Sequence, residues 1–216
     1  MHILKKVFLA TIITIVTMVA PSLKAEASSK IVLNETQRNF VNQFHEIAAE
    51  LGYEYDIPWE AVMAQGIVES GAGTSYQARH KHNLFGLGAY DSQPYSSSQF
   101  ETDEDCWRAY FEIISNKPRY VDSGALNHPA DPYAYIQVIK DAGYATAENY
   151  VPVLNCYIKA VEAYSTELGW ESSAQIISKR EAEKANLEPE IAGQAIASLL
   201  DSQLYGHLGA SLIIDY

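Results

Sequence analysis

Apolar positions recur at helical spacing along most of the chain. Phe40, Phe44, Ile47, Ala48 and Leu51 fall on one face of a helix that Thr36 can cap and Gly52 can end. The stretch from Pro58 to Ser70 is different, because Ala61, Ala64, Met63, Ile67 and Val68 spread around its whole circumference. A helix apolar on every side is a buried one. Pro58 suits its first turn, and Gly71 and Gly73 stop it. Thr102 caps a further helix with Asp103, Glu104 and Asp105 in its first turn, Trp107, Tyr110, Phe111 and Ile114 on its inner face, and Pro118 at its end. Asp131-Pro132 opens another, which ends at Gly143 after Ala142. Thr146 can cap a longer helix whose stripe runs Tyr150, Val153, Leu154, Tyr157, Ile158, Val161 and Tyr164, with Pro152 tolerable only near its start.

Residues 71–100 are the least helical part. Asp91-Ser-Gln-Pro94 and Ser96 to Ser98 are turn signals, so this stretch reads as loops with a short hairpin, and strands are confined to about 80–101. After Ser165 the character changes. Ser172 to Lys184 is polar, either a surface helix or a linker; Pro189 to Leu204 is apolar at helical spacing; Leu212 to Ile214 reads as a short strand or packed tail. The pattern therefore predicts an α+β chain that is predominantly α, with a C-terminal extension over 165–216.

The N-terminus changes the picture. Lys5 and Lys6 precede an uncharged apolar run from Val7 to Val19, and Ala25 and Ala27 supply the small residues of a cleavage site. Residues 1–27 read as a secretory signal peptide. The run falls short of the roughly 20 residues that span a bilayer, and no later segment is apolar enough, so no membrane span is expected after cleavage. Cleavage removes Lys5, Lys6, Lys24 and Glu26 and takes the net charge from −12 to −14. So acidic a chain is a poor partner for nucleic acid or an anionic membrane. Export makes one disulfide between Cys106 and Cys156 possible, and two buried, apolar, reduced thiols are the equal alternative.

Candidate chemistry centres on Glu69, at the C-terminal end of the buried helix and in line with Gln65 and Val62. Burial and the negative end of the helix dipole both disfavour its charged form. A carboxylic acid kept protonated near neutral pH can act as the general acid of glycoside cleavage, as the buried glutamate of lysozyme does. A buried glutamate satisfied by Gln65 or backbone is the competing account. His80 and His82 flank Lys81 at a spacing that puts them on different faces of a helix, with no acidic partner beside them in sequence, and read as loop residues near the cleft. No metal or other cofactor is expected. Ser70 and Ser75 lack a paired His and Asp.

The run Gln65-Gly-Ile-Val-Glu69-Ser-Gly-Ala-Gly-Thr-Ser75, followed by Asn83-Leu-Phe-Gly-Leu-Gly88, resembles the glucosaminidase domain of glycoside hydrolase family 73. Trp107-Arg-Ala-Tyr110, Asn116 to Tyr120, Asp131-Pro132, Tyr135-Ile136, Ala142-Gly-Tyr-Ala-Thr146 and Tyr150 follow in the family's order, and the likeness covers roughly 36–164. It implies a lysozyme-like helical domain over 28–164 with a short loop or β-hairpin lobe. It also implies hydrolysis of peptidoglycan at the β-1,4 bond between N-acetylglucosamine and N-acetylmuramic acid, by a monomer in the cell envelope or outside the cell, with glycan strands as partner. By motif, Glu69 would be the catalytic acid and Tyr144 would sit in the cleft near the −1 sugar.

Two departures stand out. Ala72 occupies the family's usual Trp position, which would widen the cleft floor. The hairpin segment, from Ala89 to Phe100, is short. The second carboxylate of the family lies in or near that hairpin, which leaves Asp91, Glu101 and Asp103 as candidates, Asp91 first and Asp103 better suited to helping cap a helix. The 2-acetamido group of the substrate could replace it. Gln65, Asn83 and Tyr150 are candidate substrate-binding residues by motif. Tyr90, Tyr95, Phe85 and Tyr144 could offer sugar-stacking faces, although the core suits Phe85 better. A lytic transglycosylase shares the Glu-Ser-Gly motif, and a non-catalytic wall-binding protein with a lysozyme-like cleft is the rival from another class.

Overall fold

The computed structural model describes residues 31–88 and 97–185. The α-helices up to residue 168 are, in order, α1 Glu35–Tyr55, α2 Trp59–Ser70, α3 Tyr76–Lys81, α4 Asp103–Asn116, α5 Pro118–Val121, α6 Pro132–Asp141 and α7 Tyr150–Leu168. A 3-10 turn, Ala125–Asn127, sits between α5 and α6. The chain divides into two compact units, Met1–Ile176 and Ile177–Tyr216. In the second, the described residues 177–185 are helical.

α2 is the centre of the first unit. Eleven of its twelve residues are buried, and it packs on α1, α6 and α7. This matches the all-round apolar pattern. α1 packs on α4 across Phe40, Phe44 and Trp107, whose rings lie 4.8 to 6.4 Å apart. Gly66 lets Phe40 approach: a Cβ there would stand 3.1 Å from the ring.

Several ends differ from the sequence reading. Asn34, not Thr36, caps α1, because Asn34 and Gln37 exchange side-chain hydrogen bonds with each other's backbone at 3.0 Å in a capping box. α1 runs through Gly52 to Tyr55 and ends on Asp56 in the left-handed region, φ 57°. Gly52 serves a close approach instead: a Cβ there would lie 2.7 Å from the Ile57 carbonyl oxygen. Thr146 does not cap α7, which starts after Asn149 without a side-chain cap. Pro118 stops α4 by opening α5, where its missing N–H is harmless. The caps at Thr102 and Asp131 stand as expected, the first with Asp105 closing a capping box.

No strand occurs among the described residues, and 97–100 are irregular. The expected hairpin is therefore not seen there, and its remainder, with the signal segment and everything after 185, lies outside the described residues. Polar 173–185 is helix, not linker. The first compact unit runs to Ile176. Trp170 stacks on His45 at 3.7 Å, and Ser173 bonds Trp59 and Glu60. Both cysteines are free, so the disulfide does not form, and of the two thiols expected to be buried only Cys106 is, Cys156 being exposed on α7.

Candidate active site

Glu69 stands in the last turn of α2, 7% exposed. The backbone beyond it turns through three left-handed residues, Gly71 (φ 59°), Ala72 (φ 54°) and Gly73 (φ 78°). Glycine adopts this freely, whereas alanine pays about 1 kcal/mol or more. Ser70 holds the turn: its hydroxyl donates to the Gly66 carbonyl at 2.5 Å and accepts from the Gly73 N–H at 2.8 Å. The serine of the Glu-Ser-Gly motif is thus a fastening beside the glutamate.

Burial pushes the Glu69 carboxyl up to about 8, and a hydrogen bond from Tyr150 pulls the other way. The group holds its proton at neutral pH. Burial raises the Tyr144 phenol, and the charges of Tyr150 and Glu69 add to it; it lies in the connection between α6 and α7, with its ring 6.0 Å from that of Tyr150. The Tyr144 hydroxyl is buried and has no hydrogen-bond partner. A buried phenol without a partner is costly, and here it borders the candidate acid. The structure thus gathers Glu69, Tyr144 and Tyr150, three residues singled out from the sequence.

The other candidates have different settings. Gln65 is fully buried, with both ends of its amide occupied by Tyr110 and Tyr150, so it is not exposed to a substrate. Asn83 knots its own loop: its side chain donates to the carbonyls of Leu87 and Ser98, and accepts from the Leu87 N–H, each at 2.9 Å. Phe85 is 0% exposed and packed against Trp107 and Tyr110, so it has no face for a sugar. The Asn-Leu-Phe-Gly motif is therefore a loop-and-core element. Glu101 is exposed ahead of α4. Asp103 pairs with His82 Nδ1 at 2.8 Å, which supplies the acidic partner that the local sequence did not show. Tyr90, Asp91 and Tyr95 lie outside the described residues.

Ala72 stands in the left-handed turn that follows α2. With Gly73, Phe40, Phe44, Arg79 and His82 it lines a groove of about 420 Å³. Sequence reasoning missed the hydrogen-bonding role of the phenols behind Gln65, reading Tyr110 as part of a helix's buried face and of a motif, and Tyr135 as part of a motif. The signal that could have found them is chemical: a buried tyrosine hydroxyl requires a partner. Among the described residues, no three His, Cys, Asp or Glu side chains are grouped to hold a metal ion.

The model for Glucosaminidase, described as mannosyl-glycoprotein endo-beta-N-acetylglucosaminidase, matches residues 45–163, more than half of the chain and inclusive of the Glu69 site. The chain belongs to the glucosaminidase family. The family likeness read from the motifs is therefore correct. An N-acetylmuramoyl-L-alanine amidase domain-containing protein of Staphylococcus aureus is 27% identical over 151 residues, which cover 60% of this chain and 24% of that protein. The chain thus spans about a quarter of that relative's length. Among solved structures, an N-acetylmuramoyl-L-alanine amidase from Staphylococcus aureus matches with TM-score 0.53 at 24% identity, over 63% of this chain and 45% of that one. The glycoside hydrolase domain of FlgJ from Salmonella typhimurium matches with TM-score 0.51 at 20% identity, over 71% and 98%. The catalytic domain of the autolysin Auto from Listeria monocytogenes matches with TM-score 0.51 at 20% identity, over 62% and 89%. These likenesses show a shared, mainly helical fold.

Proposed function

We propose that this glucosaminidase is a secreted peptidoglycan hydrolase that cleaves the β-1,4 bond between N-acetylglucosamine and N-acetylmuramic acid. The observation that carries the reading is Glu69, a carboxyl that burial keeps protonated to about pH 8 in a chain of this family. Glu69 donates its proton to the leaving oxygen as positive charge builds on the anomeric carbon. Tyr150 then stabilises the carboxylate left behind, and the unpartnered Tyr144 hydroxyl faces the reacting sugar. Water is activated by a second carboxylate, or the 2-acetamido group of the −1 sugar assists. The wall-directed names of the relatives favour peptidoglycan as substrate, and residues 1–27 are proposed as the export signal.

The test is digestion of purified walls followed by mass spectrometry of the products. The parent should release fragments with reducing N-acetylglucosamine ends, and Glu69→Gln should lose about 100-fold or more of the rate. Anhydromuramic ends would instead make the chain a lytic transglycosylase. An undiminished rate in Glu69→Gln would remove the acid from its role.

A further inference from the structure

Beneath Glu69 lies a run of buried hydrogen bonds with a single direction. The Tyr110 hydroxyl donates to the Gln65 side-chain carbonyl at 2.5 Å. A phenol carries one proton, so the 2.9 Å contact between Tyr110 and Tyr135 must be donated by Tyr135. On the other side, the Gln65 amide N–H donates to the Tyr150 oxygen at 2.9 Å. This leaves the Tyr150 proton free to be given to Glu69, whose carboxyl Tyr150 reaches. Gln65 and Tyr135 are fully buried, as is Tyr110, and Tyr150 is 5% exposed.

We propose that Gln65 is a positioning residue: held by Tyr110 and Tyr135, its amide fixes the direction of the Tyr150 hydroxyl so that its proton points at Glu69. The reverse direction is the competitor. Turned over, the Gln65 oxygen would take the Tyr150 proton, and the Tyr110 proton would pass to Tyr135. The Tyr135 proton would then have no acceptor among the described residues, at a fully buried phenol. Four side chains from α2, α4, α6 and α7 thus make one orientation the better one. The inference rests on the reading of Glu69 as the acid. It explains why a glutamine and a row of tyrosines stand under that acid without facing a substrate.

The groups around Glu69 favour a clean test. Tyr150 comes from α7 and Tyr144 from the connection before it. Behind them stand Tyr135 from α6, Tyr110 from α4 and Tyr120 from α5, all kept un-ionised by burial. Arg119 lies against the Tyr120 ring and is the nearest cation seen to act on this group. Tyr110→Phe removes an oxygen that touches neither Glu69 nor substrate.

The experiment follows the Glu69 carboxyl in the full chain labelled with carboxyl-¹³C glutamate, its resonance identified by its loss in Glu69→Gln. Tyr110→Phe should raise the Glu69 titration midpoint by about half a unit to one unit, the worth of one hydrogen bond. Tyr150→Phe should do at least as much, and the alkaline limb of wall digestion should move up with it. If Tyr110→Phe does not fold, Tyr135→Phe carries the test with a smaller upward shift. An unchanged midpoint in a variant that melts like the parent overturns the inference. The carboxyl titration needs no turnover, so that failure is distinct from an active Glu69→Gln, which would overturn the function.

Discussion

Ser173 donates both its backbone N–H, at 2.7 Å, and its hydroxyl to the buried carboxylate of Glu60. Its oxygen also accepts from the Trp59 N–H at 3.0 Å, satisfying one of the free donors at the start of α2. A residue from beyond the last long helix therefore caps the helix that carries Glu69. Ser173→Ala should lower stability by about 1–3 kcal/mol, measured by urea unfolding. A chain ending at 176 should keep the parental midpoint of its first unit, whereas one ending at 168 should not.

The raised carboxyl of Glu69 makes stability depend on pH. Its proton is held in the fold up to about 8 but released from the unfolded chain near 4.5. The unfolded state thus binds fewer protons between these values, and stability falls as pH rises from about 4.5 to 8. Glu69→Gln removes that loss. Its stability advantage over the parent should be small at pH 4 and grow to about 3–5 kcal/mol by pH 8 and above, read from melting curves across the range.

Asn83 closes the loop after α3 with three hydrogen bonds, two to Leu87 and one to Ser98. Asn83→Leu keeps the volume but strands buried backbone groups. A loss of about 2–3 kcal/mol is expected, and amide exchange should quicken first at Leu87 and Ser98.

The two thiols should differ in reactivity. Burial pushes Cys106 up to about 12, and its sulfur accepts from the Leu84 N–H at 3.2 Å. Cys156 is exposed on α7. A maleimide should label one thiol in the folded chain and two after denaturation, with Cys156→Ser abolishing the first reaction.

Local chemistry was largely legible. Thr102 and Asp131 cap helices because a side-chain oxygen beside free N–H groups needs nothing distant. The same rule misplaced the start of α1, where Asn34 and Gln37 form the better box, and the start of α7, where no side chain caps at all. Gly52 looked like a stop but lies inside a helix. Its reason is the chain folding back at Ile57 and Trp59, a tertiary contact. His82 seemed to lack an acid because Asp103 is distant in sequence and 2.8 Å away in space.

At the site, the helix, its all-round apolar surface and the carboxylate at its end were written in the residues themselves, since period and composition are local properties. So were the motifs that place the chain among glucosaminidases. Which motif residues face Glu69 was a matter for the folded chain alone. Tyr144 and Tyr150 border it; Asn83 and Phe85 serve the loop and core; Gln65 turns inward to Tyr110 and Tyr150. The reason is physical. Burial and hydrogen-bond direction depend on which elements meet, and α2, α4, α6 and α7 meet around Glu69 through residues far apart along the chain.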